Sequence, residues 1–63
     1  DASYMFSYCR KLESINASGF EKVKDAESMF ENCTNLKNIN LSKFINIKNN
    51  RDMFKGCKLL NID

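Results

Sequence analysis

The stretch MFENC, residues 29–33, decides the fold because the chain contains it in three versions. MFSYC at residues 5–9 stands 24 positions earlier, and MFKGC at residues 53–57 stands 24 positions later. Repetition at a period of about 20 to 30 residues is typical of a solenoid, in which each copy forms one coil and stacks on the next. We therefore predict a single solenoid fragment over residues 1–63, with copies at residues 1–24 and 25–48 and a partial third copy at residues 49–63.

Each copy opens with apolar residues that are spaced as on one side of an α-helix. Ala26, Met29, Phe30 and Cys33 stand at positions i, i+3, i+4 and i+7. The same spacing recurs in the first copy and, with Asn50 in place of the alanine, in the third. Asp25 precedes the pattern, and Asp is a residue type that accepts hydrogen bonds from the free amides of a first helical turn. The pattern predicts short helices near residues 2–8, 26–32 and 50–56.

The second part of each copy has the alternation of a half-buried strand, because Ile39 and Leu41 flank the polar Asn40. In the third copy, an alignment with one residue removed brings Leu59 into the leucine position and leaves Leu60 exposed. The sequence predicts strands near residues 13–16, 37–40 and 60–62 that pair in parallel in chain order. Short helices and strands in every copy make the predicted fold an α/β repeat solenoid.

The apolar residues that recur in register are expected to be buried between the coils. Burying each phenylalanine contributes about 1.5–3 kcal/mol, which a chain this short needs for a stable fold. The alternative, an aromatic surface on which bases or sugars stack, would leave the rings exposed. The predicted core consists of Met5, Phe6, Cys9, Leu12, Ile15, Phe20, Met29, Phe30, Cys33, Leu36, Ile39, Leu41, Phe44, Met53, Phe54 and Cys57.

Three cysteines, Cys9, Cys33 and Cys57, occupy the same position of the repeat. Zinc sites use Cys or His in closely spaced pairs, and this chain has no His and no second cysteine near any of the three. Stacked residues about 4.8 Å apart are within disulfide range, but their side chains run parallel and an odd number leaves one thiol unpaired. We expect buried, reduced, stacked thiols with no metal and no cofactor; a redox or metal role is the alternative.

Function is expected on the strand side chains that point away from the core. Stacked parallel strands would arrange them as polar columns, mostly of Asn, whose amides offer both donors and acceptors to a partner. The alternative is that these columns are merely solvated, because Asn is abundant throughout the chain. The candidate binding residues are Ser14, Asn16, Asn38, Asn40, Asn61 and Asp63.

Charge and hydropathy argue against two classes of partner. Ten Lys and Arg are offset by eight Asp and Glu, and the basic residues form no run, so we predict no nucleic-acid partner. No apolar run approaches the roughly 18–20 residues of a membrane span, so we predict no membrane insertion by this segment. No acid–base pair, phosphate loop or metal-ligand cluster points to an enzyme.

The stretch MFENCTNLKNINLSKF, residues 29–44, resembles the repeat of the BspA-like leucine-rich repeat family, M-F-x-x-C-x-x-L-x-x-L-D-L-S-x-F. That family is found in bacterial and protist surface proteins, including repetitive mycoplasma lipoproteins. The chain departs from it at Asn16 and Asn40, where the family often has Asp. The resemblance implies a curved right-handed coil with a short parallel sheet on the concave side and short helices on the convex side.

From the resemblance we expect a non-catalytic recognition or adhesion segment of a longer protein, located at the cell surface or in the extracellular space. The segment would bind a protein or a glycan through its concave face and stack on further repeats of its parent chain. The alternative is an intracellular structural scaffold or a subunit of a larger assembly, which three reduced cysteines would tolerate.

Overall fold

The computed structural model describes residues 1–16 and 19–60. Its elements are two strands, β1 (Ser14–Ile15) and β2 (Asn38–Ile39), and one 3-10 helix (Leu41–Lys43). The two strands pair in parallel in chain order, as the sequence predicts. The third predicted strand, near residues 60–62, lies almost entirely outside the described residues.

The register of the sheet sets the length of one coil. Ser14 lies opposite Asn38, its equivalent in the next copy of the repeat. A single parallel bridge between Asp25 and Asn49 has the same offset along the chain. One circuit of the chain therefore corresponds to one copy of the repeat. We name the circuits coil 1 (residues 1–24), coil 2 (residues 25–48) and coil 3 (the described residues 49–60).

The predicted helices are wrong, because the segments that carry the MFxxC stretches form consecutive turns. These turn segments are residues 1–9, 25–33 and 49–57. In the first of them the amides of Met5, Ser7 and Cys9 each donate to the carbonyl oxygen three residues earlier, at N···O distances of 3.1 Å. Bonds between residues three apart close β-turns, whereas an α-helix joins residues four apart.

The remaining amides of each turn segment donate to the next coil. In coil 1 every second amide bonds to a carbonyl oxygen of coil 2, and two of these four bonds are Ala2 to Asp25 and Phe6 to Met29, both 2.9 Å. An α-helix would need the same amides to bond to carbonyls within the segment. Because these amides bond to the next coil instead, no helix forms. Four equivalent bonds to coil 3 come from Ala26, Ser28, Phe30 and Asn32. These eight bonds are called the turn ladder below.

The start of each turn segment is fixed by a polar side chain, as the sequence anticipates for a cap. Asp1 Oδ1 accepts from the amide of Ser3 at 2.9 Å, and Asp25 Oδ1 accepts from the amide of Glu27 at 3.2 Å. Asn49 makes the equivalent bond in coil 3. Asp and Asn are suited to such bonds with the backbone two residues on, which are common in turns as well as at helix ends.

The hydrophobic core is centred on coil 2, which has a coil on either side. Phe30 is fully buried, and its ring stacks on Phe6 and Phe54 with centroid distances of 5.4 and 5.5 Å. Phe20 and Phe44 form a second pair at 5.6 Å. The other fully buried side chains of coil 2 are Ala26, Met29, Cys33 and Leu36.

Two residues that the sequence predicts in the core are not part of the observed core. Met5 is 52% exposed, whereas its equivalents Met29 and Met53 are buried, because coil 1 has no described coil before it. Leu41 is half-buried, lies in the 3-10 helix and borders the surface instead of packing against the buried cluster. Both departures arise where the stack ends or the chain changes direction.

The alignment of the third copy is also wrong by one residue. Leu60, not Leu59, packs against the core, and Leu59 is 50% exposed. The amide of Leu60 donates to the carbonyl oxygen of Cys57, as Leu12 and Leu36 do to the cysteines of their own coils. Coil 3 therefore keeps the spacing of the first two coils without a deletion.

Candidate ligand-binding site

The candidate binding residues that the structure describes are all exposed and belong to the sheet or follow it directly. Ser14 and Asn38 are the first residues of β1 and β2 and lie opposite each other. Asn16 and Asn40 come directly after these strands. We call this set of four residues the strand face. The other two candidates, Asn61 and Asp63, lie outside the described residues.

A groove of about 520 Å³ runs along the strand face. Residues of both coils line it, and they include the half-buried Ile15 and Ile39, which also pack against the core, together with polar residues. Three of the candidate residues take part in this lining, and Asn16 does not. The residues that line the groove are Ser14, Ile15, Asn38, Ile39, Asn40, Leu41 and Ser42.

The side chain of Asn40 already forms hydrogen bonds within its own segment. Its Oδ1 accepts from the amide of Ser42 at 3.0 Å and from the Ser42 hydroxyl at 2.6 Å. The Asn40 side chain therefore caps the 3-10 helix at Leu41–Lys43. The side-chain oxygen already accepts these two bonds, so Asn40 would contact a ligand mainly as a donor, through its side-chain NH₂ group.

Four residues of the groove have no binding role in the sequence interpretation. Ile15, Ile39 and Leu41 are predicted as core because of their apolar type, and Ser42 is assigned no role at all. The Asn-x-Ser spacing at residues 40–42 is the available signal, since Asn two residues before Ser is a common turn and cap arrangement. The sequence thus locates the polar half of the groove and misses its apolar half.

The described residues that line the groove are uncharged. None of these residues is Asp, Glu, Lys or Arg. Recognition in this groove would rest on hydrogen bonds from amide and hydroxyl groups and on contact with aliphatic side chains.

The three cysteines form a column with a regular bonding pattern. The thiol of Cys33 donates to the carbonyl oxygen of Phe6 in the coil before it, at 3.0 Å, and Cys57 does the same to Phe30 at 3.0 Å. Cys33 is fully buried, while Cys9 and Cys57 are half-buried, and all three are free thiols. Burial raises the pKa of both the Cys33 and the Cys57 thiol. These thiols are therefore held in the protonated, poorly nucleophilic form.

The part of the chain that the structure describes holds neither a metal-ligand cluster nor a membrane-spanning helix. In residues 1–16 and 19–60, no three or more His, Cys, Asp or Glu side chains come together as a group that could hold a metal ion. Within the same residues, no helix is both long enough and apolar enough to span a bilayer.

Comparison with known proteins agrees with the coil geometry. A family model described as a BspA type leucine rich repeat region (6 copies) matches residues 2–63. No curated protein and no solved structure matches the chain significantly. The family match extends over nearly the whole chain, and the parallel pairing of Ser14 with Asn38 is the stacking that such repeats require. The chain belongs to the BspA-type leucine-rich repeat family, and its fold is a repeat solenoid.

Proposed function

We propose that the chain is a non-catalytic recognition segment of a longer, surface-exposed leucine-rich-repeat protein, and that its strand face binds a protein or a glycan. Repeats of this family are associated with protein interaction and adhesion, and are in general not catalytic. The single observation that carries the proposal is the groove along the strand face, which is lined by aliphatic residues and by residues with amide and hydroxyl groups.

The size and chemistry of the groove fit a ligand that is polar but uncharged. Its volume of about 520 Å³ falls within the range of about 300–1,000 Å³ of small-ligand sites. Asn38 offers an amide donor and an acceptor, and Ser14 opposite it offers a hydroxyl. A sugar ring presents hydroxyls on its edge and C–H groups on its face, and a peptide strand presents amides and side chains. Either could use the polar groups and the aliphatic residues together.

In the parent protein, we infer that the strand face lies on the concave side of a right-handed coil. Further repeats that carry polar residues at the position of Ser14 and Asn38 would extend the groove coil by coil. A longer concave surface would raise affinity, because each coil adds contacts to one bound partner. Such a surface, exposed at the cell surface or in the extracellular space, fits the general role of the family.

The test is binding by the chain and two single variants, with a glycan array and a phage-displayed random peptide library as the probes. Asn38→Ala removes a groove amide, and we expect affinity for any selected ligand to fall by about tenfold, the loss of one or two hydrogen bonds. Asn50→Ala is the matched control, because Asn50 lies off the strand face and the equivalent residues of coils 1 and 2 are Ala2 and Ala26. The control should bind as the unchanged chain does.

The outcome identifies the ligand class as well as the site. Selection on the glycan array alone favours a carbohydrate ligand, and selection from the peptide library alone favours a protein. If Asn38→Ala and Asn50→Ala bind equally well, the strand face is not the binding surface. If neither probe yields a ligand, the recognition role itself is contradicted.

The second candidate function is an intracellular scaffold or a subunit of a larger assembly. The three free thiols favour it, since unpaired cysteines persist most readily in a reducing compartment. The full-length gene distinguishes the candidates: a secretion signal or lipobox ahead of the repeats supports the surface protein, and its absence supports the scaffold.

A further inference from the structure

The segments that lead from the strand face to the next turn segment separate apolar from polar side chains. We call these segments, residues 19–24 of coil 1 and residues 43–48 of coil 2, the return segments. Phe20 and Val23 pack against the core in coil 1, as Phe44 and Ile47 do in coil 2. The other residues of both segments are exposed, apart from the half-buried Glu21. Each return segment therefore has an inner apolar side and an outer side open to solvent.

The outer side of the return segments is basic. Lys22, Lys24, Lys43 and Lys48 are all exposed on it, and Glu21 is the one acidic residue of the two segments. Four lysines against one glutamate give these segments a net charge of +3, which exceeds the +2 of the whole chain. The small net charge of the chain therefore conceals a local excess of positive charge.

Hydrogen bonds between the two return segments bring their lysines together. The amides of Lys48 and Asn49 both donate to the carbonyl oxygen of Lys24, at 2.8 and 3.1 Å. The parallel bridge between Asp25 and Asn49 follows directly, so the backbones at Lys24 and Lys48 lie side by side, about 4.8 Å apart. Like charges at such neighbouring positions are destabilising. None of the four lysines of the return segments forms an ion pair with a described residue, so an anionic partner would relieve this repulsion.

Glu21 balances only part of this positive charge. Its Oε1 accepts from the amide of Gly19 at 2.7 Å, and its carbonyl oxygen accepts from the side-chain amide of Asn46 at 2.6 Å. Hydrogen bonds from its own amide and from that of Gly19 lower the pKa of the Glu21 carboxyl, with a smaller contribution from the charge of Lys43. Glu21 is therefore ionised at neutral pH and offsets one of the four lysines.

Ile45 places an apolar side chain among these lysines. It is 70% exposed, more than any other large hydrophobic residue of the described chain. Lys43 stands two residues before it, and Lys48 three residues after it. The boundary of an anionic bilayer offers negative headgroups and hydrocarbon at the same surface, which is the combination that lysines around an isoleucine match.

The exposure of these side chains does not depend on a missing neighbour. Lys22 and Lys24 have coil 2 after them, and Lys43 and Lys48 have coil 1 before them, yet all four are exposed. Val23 packs inward between Lys22 and Lys24, so the two lysines are directed outward, away from the core. Stacking of coils therefore leaves this outer side open.

We propose that this outer side docks on the surface of an anionic lipid bilayer. Its ammonium groups lie among the negative headgroups, and the Ile45 side chain enters the boundary between headgroups and acyl chains, without any segment crossing the bilayer. None of its residues lines the groove of the strand face, so the inference is independent of what that groove binds. We call the docking surface the basic edge; it consists of Lys22, Lys24, Lys43, Ile45 and Lys48.

The expected affinity is modest. Each lysine near an anionic surface raises the affinity about fivefold. Transfer of the Ile45 side chain out of water adds about tenfold or more. With the repulsion of Glu21 subtracted, these contributions predict half-maximal binding at about 0.1–1 mM lipid.

Co-sedimentation of the chain with lipid vesicles tests the proposal. Phosphatidylcholine vesicles that contain about 30% phosphatidylserine are compared with vesicles of phosphatidylcholine alone. We expect at least about tenfold tighter binding to the anionic vesicles. This binding should be lost when salt is raised from about 0.1 to 1 M, because screening shortens the reach of the charges from about 10 to 3 Å. Equal binding to the two kinds of vesicle would overturn the proposal.

A double substitution of stacked lysines locates the contact. Lys24→Gln together with Lys48→Gln should weaken binding to the anionic vesicles by about 25-fold, since each lysine contributes about fivefold. Lys11→Gln together with Lys37→Gln is the matched control, because it removes the same charge from exposed residues outside the basic edge. The control should bind as the unchanged chain does. Equal losses in the two double variants would mean that net charge, and not this edge, drives binding.

Ile45→Ser distinguishes a bilayer from a soluble polyanion, for which heparin is the probe. We expect this variant to bind anionic vesicles at least about fivefold more weakly and to be retained on heparin as the unchanged chain is. Retention on heparin without binding to vesicles, or vesicle binding that ignores Ile45→Ser, would overturn the proposal in favour of a polyanion. Hydrogen exchange at the Phe30 amide, which donates to Met53 in coil 3, reports folding in the same samples. A folded chain that binds no vesicle, or a chain unfolded throughout, would also overturn it.

Discussion

The fourth and eighth residues of each repeat distinguish this structure from the one predicted. Ser28 and Asn32 of coil 2 have φ values of 54° and 60°, a left-handed conformation that an α-helix cannot contain. Asp52 and Gly56 continue these positions in coil 3, with φ values of 54° and 81°. Asn, Asp and Gly enter this region more readily than other residues do.

The apolar spacing could not reveal this backbone. Positions i, i+3, i+4 and i+7 describe which side chains point inward, and consecutive turns bury Met29, Phe30 and Cys33 as well as a helix would. The available signal was the residue type at the two left-handed positions. Asn32, together with Gly56, carried that signal, while tyrosines at the same positions of coil 1 concealed it.

Gly56 meets a second constraint at this position. A Cβ on it would collide with the side-chain oxygen of Asn32 in the coil before it. The eighth residue of the repeat thus has a left-handed backbone in each coil, and at this residue coils 2 and 3 also come close together. Glycine satisfies both requirements here.

At the residue scale, the buried thiol of Cys33 predicts loss of stability in alkali. A cysteine in an unfolded chain ionises near pH 8.5, and burial raises the pKa of Cys33 above its ordinary value. The folded state therefore keeps a proton that the unfolded state loses. The thiol's contribution is complete below about pH 8.5 and is lost as pH rises through the folded-state pKa.

Urea unfolding at neutral pH and at stepwise higher pH measures this effect. The free energy of unfolding should fall with rising pH more steeply for the unchanged chain than for Cys33→Ala, which lacks the titrating group. The comparison cancels contributions from Lys and Tyr, because both chains contain the same ones. Parallel pH dependences for the two chains would contradict a protonated buried thiol.

At the element scale, the regular elements are very short, and side chains determine where they begin and end. Each strand has two residues, and the 3-10 helix has three. The sequence placed both described strands correctly, because Ile15 and Ile39 alternate with polar neighbours. It did not anticipate the 3-10 helix, whose cap depends on a bond between Asn40 and Ser42 and not on any apolar period.

The cap predicts that two asparagines, which the sequence analysis treats alike as surface residues, contribute unequally to stability. Asn40→Ala should lower the free energy of unfolding by about 1 kcal/mol, as loss of a helix cap does. Asn38→Ala should change it by less than about 0.5 kcal/mol, as surface substitutions usually do.

Thermal or chemical unfolding of the two variants gives the comparison, and Asn40→Ser tests its cause. Serine can accept the same backbone bond, so this variant should recover most of the lost stability. If Asn40→Ala and Asn38→Ala are equally stable, the bond to Ser42 makes no net contribution in solution.

At the scale of the whole molecule, stability comes from contacts between coils. The repeat predicted this stacking and its offset, one copy per coil, from the sequence alone. The exposure of Met5 and the groove could not be predicted in the same way, because both depend on where coils lie relative to one another and to the ends of the stack. Coil 2, covered on both sides, is the part that matches the sequence interpretation best.

Phe30→Ala should therefore destabilise the whole stack. The ring is fully buried and contacts Phe6 on one side and Phe54 on the other, so its removal opens a cavity at both coil interfaces. We expect a loss of about 3–5 kcal/mol, enough to unfold a chain of this size outright.

Circular dichroism and urea unfolding measure the effect, with Ile45→Ala as the control. Ile45 is 70% exposed, so its truncation should shift the free energy of unfolding by no more than about 0.5 kcal/mol. A Phe30→Ala chain as stable as the control would mean that the coils do not stack through this ring.

The turn ladder also gives the molecule an electrical polarity. In each ladder step the carbonyl of one residue and the amide of the next belong to one peptide group, whose dipole lies along the stack. All of these dipoles have the same sense, with their positive ends toward coil 3. Aligned peptide dipoles of about 3.5 D each add, as they do in an α-helix. A helix lying within a coil would direct its dipole across the stack, whereas these turns direct theirs along it, so the dipole moment along the stack grows with every coil added.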